Sequence, residues 1–87
     1  MEFTPEQLEI ASRIDAKVRR LARAGRDDIG ILAEMADLMP DFKRLMDSSK
    51  PGALDELGRR FVGFYRYAKI LEAVASGIQA GTIKVPG

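Results

Sequence analysis

The 87-residue sequence contains no cysteine and no histidine. Without cysteine there is no disulfide, no thiolate nucleophile and no zinc–thiolate site, and the redox compartment stays open. Without histidine the familiar pairing of a nucleophile with an imidazole base cannot be built, and none of the serines has a plausible base. An excess of one charge is missing too. Fourteen Lys and Arg stand against thirteen Asp and Glu, net +1, so no global field draws in nucleic acid or an anionic membrane. Long apolar runs are absent: none approaches the ~20 residues of a membrane span. The opening stretch MEFTPEQLEI is acidic where a secretion signal would be basic. These absences predict a non-enzymatic chain with no cofactor, no metal and no membrane contact, and a cytoplasmic location.

What is present is a globular composition, 46% apolar and 31% charged, with no low-complexity tract or internal repeat. Length and composition predict one all-α domain over residues 1–87, a three- or four-helix bundle. Thr4, Pro5 and Gln7 form a helix start with a capping box. The first helix is expected over about 5–24, ending at Gly25, with Ile10, Ile14, Val18 and Leu21 as its apolar stripe. A second is expected over about 28–39, capped by Asp27 or Asp28, with Ile29, Leu32, Met35, Leu38 and Met39 facing inward. Pro40 breaks it and opens a short third helix over about 41–47. Residues 47–52, DSSKPG, read as a loop.

From 51 to 80 the spacing predicts one long helix of about 45 Å, followed by an extended tail at 82–87. Leu54, Leu57, Phe61, Phe64, Ala68, Leu71, Ala75 and Ile78 alternate three and four apart, a heptad-like stripe. Gly58, Gly63 and Gly77 weaken such a helix by about 1 kcal/mol each relative to alanine. The segment FVGFYRYAKI holds four of the six aromatic rings, threaded with Arg66 and Lys69. Sorted at 100° per residue, Phe61 and Phe64 fall on the buried stripe, Arg59, Val62, Arg66 and Lys69 fall on the opposite or lateral face, and Tyr65 sits at the border. Rings and cations point apart, unlike the exposed aromatic platforms that stack bases.

A second stripe, Gly63, Tyr67, Ile70, Val74 and Gly77, makes the same helix apolar on two sides. Either other helices of the chain cover it, or it is a partner-binding face for a protein or a second copy, with the glycines permitting close approach. Small bundles often bury a helix all round, which favours cover by the chain's own helices, while a helix of about 45 Å outruns the neighbours this chain can supply and keeps a homodimer open. The alternative function is nucleic-acid binding through Arg19, Arg20, Arg23, Arg59, Arg66 and Lys69, although a base-reading helix is hard to assign. Glu34, Asp37 and Asp41 have helix-face spacing, but without histidine they read as a solvated acidic face rather than a metal site. The sequence thus predicts a small interaction or regulatory module, with nucleic acid an unlikely partner.

Overall fold

The computed structural model describes the backbone of residues 2–79 and side chains through residue 77. Within them the chain is helical: α1 (Pro5–Arg23), α2 (Asp28–Glu34), a single 3-10 turn (Ala36–Leu38), α3 (Met39–Ser48), α4 (Ala53–Arg60) and α5 (Val62–Gln79). The expected tail at 82–87 and the stop at Gly81 lie outside the described residues.

α1 begins as its sequence dictates. Thr4 N–H donates to Gln7 Oε1 at 2.8 Å, and Gln7 N–H donates to Thr4 Oγ1 at 3.1 Å, which satisfies two otherwise orphaned donors. Gln7 Nε2 also donates to the carbonyl and hydroxyl oxygens of Ser48, both at 3.3 Å, so the cap ties the start of α1 to the end of α3. The helix closes at Gly25, whose φ of +84° is a left-handed conformation natural to glycine. Asp27 caps α2 by accepting from Gly30 N–H at 2.8 Å.

The second helix is shorter than its periodicity predicts. It ends at Glu34, and a 3-10 turn carries the chain to Met39 before Pro40 can interrupt a longer helix. Ile29 is 65% exposed and does not join the core. α3 starts earlier than expected, with Pro40 in its first turn, where a missing N–H costs nothing. It also runs into the expected loop. The hydroxyls of Ser48 and Ser49 donate back to the Leu45 carbonyl, occupying an acceptor at the helix end.

The largest departure is at Phe61. The long helix expected over 51–80 is two helices, because Phe61 is extended (φ −129°, ψ 99°) between α4 and α5. Its N–H still bonds back to Leu57 and its carbonyl accepts from Tyr65 N–H at 3.1 Å, so one residue ends α4 and begins α5. The turn is sharp. On one continuous helix Gly58 and Tyr65 would be separated by about 10 Å of rise, yet a Cβ placed on Gly58 would lie 2.8 Å from Tyr65 Cδ2 and 3.2 Å from Tyr65 Cβ. α4 therefore folds back against α5.

The core sits among all five helices. Ile10, Ile14 and Val18 of α1, Ile31 of α2, Leu45 of α3, Leu57 of α4 and Phe64, Tyr67 and Ile70 of α5 are buried in one cluster. Phe42 stands 5.6 Å from the Phe64 ring and 5.2 Å, edge-on, from Tyr67, separations at which aromatic pairs add stability beyond area burial. The corner also redraws the expected heptad stripe. Leu57, Phe64 and Ala68 are buried, Phe61 and Leu71 are half-buried, and Leu54 and Ala75 are exposed.

Candidate functional site

The corner between α4 and α5 is built from two close approaches. At the first, Gly58 lies under the Tyr65 ring, and Lys69 Nζ stands 5.4 Å from the centre of that ring. Glu72 accepts from the same ammonium at 3.3 Å and raises the Lys69 pKa. Asp55, Gly58, Arg59 and Tyr65 line an open depression of about 370 Å³ here.

At the second approach α1 and α5 touch through backbone. A Cβ on Gly63 would meet the Asp15 carbonyl oxygen at 2.5 Å and Oδ1 at 2.7 Å, so only glycine fits without a shift. The Gly63 N–H donates to Asp15 Oδ1 at 2.7 Å. Asp15 thereby supplies, from a remote helix, the cap that no side chain at Phe61 can give. Arg19 holds the other oxygen of that carboxylate at 3.1 Å.

The face assigned to a partner from the sequence is largely filled by the chain itself. Tyr67 is 0% and Ile70 5% exposed, Gly63 is closed by Asp15, and Val74 and Gly77 are half-buried, Val74 packed against the core. The expectation that this helix outruns its neighbours rested on 45 Å of continuous helix. With the corner, α5 has 18 residues, about 27 Å, and α1, α2 and α4 all pack against it.

The cations singled out in the sequence do not gather into one open patch. Arg19 faces Asp15, Arg59 faces Glu56 at 3.4 Å, Arg66 faces Asp28 at 3.2 Å and Lys69 faces Glu72. Arg20 and Arg23 are exposed and have no ion pair among the described residues. Of the acidic trio, Asp37 bonds Lys17 Nζ at 2.7 Å, which lowers its pKa. Asp41 faces Arg13 and Arg44, and Glu34 is exposed.

What sequence reasoning missed is the outer apolar surface. Val62 is 71%, Ile29 65%, Tyr65 47% and Leu54 37% exposed. Ile29 follows Asp28, Val62 precedes Arg66 by one turn, and the Asp28–Arg66 ion pair joins α2 to α5. Among the described residues the two most exposed large aliphatic side chains are thus close in sequence to the two ends of one bridge, and Tyr65 follows Val62 by three residues on α5. The absence of a core role for Val62 was already visible in its place opposite the stripe. No helix among the described residues is long and apolar enough to cross a membrane. Comparison with family models, curated proteins and solved structures gives no match to this chain.

Proposed function

We propose that this chain is a non-enzymatic interaction module that binds a protein, a second copy of itself included, through an outer surface that includes Ile29, Val62 and Tyr65. The observation that carries this reading is the exposure of Ile29, next to Asp28, and of Val62, one turn before Arg66, the two residues whose ion pair joins α2 to α5. Neither side chain is needed to fill the core, and polar residues at both positions would leave the helices equally well packed. Burying one such aliphatic side chain against a partner is worth about 1.5–3 kcal/mol. A few together with a tyrosine give the apolar centre common in protein interfaces. Nucleic-acid binding fits less well, because phosphates would have to displace the carboxylates that already face Arg19, Arg59, Arg66 and Lys69.

The test is a double substitution, Ile29→Glu with Val62→Glu. Circular dichroism and melting should stay close to wild type, since both positions are exposed. Affinity capture with nuclease present, and sedimentation over a hundredfold concentration range, should show a bound protein or a self-associated form that the double variant loses. Capture that the variant retains, or that vanishes with nuclease, defeats the proposal.

A further inference from the structure

Tyr67 is fully buried, and its hydroxyl has one hydrogen-bond partner among the described residues: Sδ of Met39, 3.6 Å away. A thioether is a weak acceptor, so a buried phenol is held here by a poor match. Met39 itself reaches the surface. It is 37% exposed at the first position of α3, whereas Met35 is fully buried and Met46 half-buried.

We propose that Met39 is a site of reversible oxidation by peroxides, and that the Tyr67 hydroxyl receives the product. The sulfur lone pair that the phenol does not engage attacks one peroxide oxygen: an S–O bond forms, the O–O bond breaks, and water or an alcohol leaves. Sulfur loses two electrons and the peroxide gains them. The resulting sulfoxide oxygen is a far stronger acceptor than the thioether. Bent at that oxygen, an S–O···H–O arrangement with an O···O separation of about 2.7 Å spans the same gap to the phenol. Rotation about the Met39 side-chain bonds turns the new polar oxygen, which would otherwise disrupt an apolar contact, toward a donor already beside the sulfur. Its effect is carried inward, because Tyr67 stacks edge-on against Phe42, which in turn packs on Phe64. Oxidation of one surface methionine is therefore coupled to the contact between α3 and α5.

Graded hydrogen peroxide followed by peptide mass spectrometry tests the site. In the folded protein Met39 should oxidise roughly fivefold or more faster than Met35 and Met46, as exposure dictates, and the rates should converge in urea. Melting tests the coupling. Oxidation should lower the melting temperature of Tyr67→Phe, where the sulfoxide has no donor, more than that of wild type, and methionine sulfoxide reductase should reverse both changes. The sequence has two tyrosines and no tryptophan, so tyrosine absorbance gives a second readout if Tyr67→Phe folds poorly. Oxidation of wild type should shift the buried tyrosine band, and Met39→Leu should abolish that shift. Met39 reacting no faster than Met46, equal melting shifts in both backgrounds, or a band shift that survives in Met39→Leu would each overturn the proposal.

Discussion

Asp15 Oδ1 accepts the backbone N–H of Gly63 across 2.7 Å, a bond between residues 48 apart in the chain that caps α5 from within α1. Asp15 is 7% exposed, so the bond is shielded from water and its loss leaves a donor without a partner. Asp15→Ala should cost about 1–3 kcal/mol, and Asp15→Asn less, because an amide oxygen can still accept. Arg19→Ala should cost no more than about 1 kcal/mol, its side chain being 60% exposed. Gly63→Ala should cost about 1–3 kcal/mol by overpacking, since its nearest obstacle is backbone that cannot swing aside. Urea titration of the four variants checks the order, and an Arg19→Ala loss as large as that of Asp15→Ala would contradict it.

The Gly58–Tyr65 contact predicts a coupled pair. Gly58→Ala pushes a methyl group into the tyrosine ring and should destabilise the protein. In a Tyr65→Ala background only the 3.2 Å approach to Cβ remains, and the same change should cost markedly less, offset in part because alanine is the better helix former. A double-mutant cycle by thermal denaturation should give a coupling of roughly 0.5–3 kcal/mol. Additive effects would mean that α4 does not fold back on α5.

Much of this architecture was legible locally, and the largest exception has a distant cause. The Thr4–Gln7 box, the stop at Gly25 and the opening of α3 around Pro40 depend on residues a few positions apart, whose chemistry is written in the sequence. The corner at Phe61 depends on Asp15, which no local pattern connects to it. A three-and-four spacing that runs through Gly58 and Gly63 fits one straight helix and also two helices folded together. Only the pair of glycines on either side of Phe61 hinted at the second. The same corner decided the candidate site: it turned Tyr67 and Ile70 inward and left Leu54 outside.

Leu54 and Leu57 separate the two geometries experimentally. On a straight heptad stripe both would be core and would respond alike. In the folded-back arrangement Leu57 is 0% and Leu54 37% exposed. Leu57→Ala should therefore cost about 2–5 kcal/mol, and Leu54→Ala no more than about 1 kcal/mol. Chemical denaturation of both variants reads the contrast directly, and equal losses would restore the straight helix.

Alkaline pH gives the last prediction, through Tyr67. Burial raises its pKa above the ordinary value of 10.0, and the nearby Asp37 carboxylate adds to the shift. The neutral phenol is thus favoured in the folded protein, while the unfolded chain ionises at the ordinary value. The contribution to stability is fully present below pH 10.0 and is lost as pH rises through the higher folded value, because over that window the folded state binds the extra proton. The wild-type profile alone does not isolate the effect of one group, so a second background is needed. Tyr67→Phe removes only the ionising hydroxyl and keeps the ring against Phe42. Urea midpoints from pH 8 upward, in steps past the ordinary tyrosine value, should fall more steeply for wild type than for Tyr67→Phe, with the two curves parallel below it. Curves parallel throughout would mean that the Tyr67 hydroxyl ionises in the folded protein as readily as in water, and the burial that defines this core position would have to be abandoned.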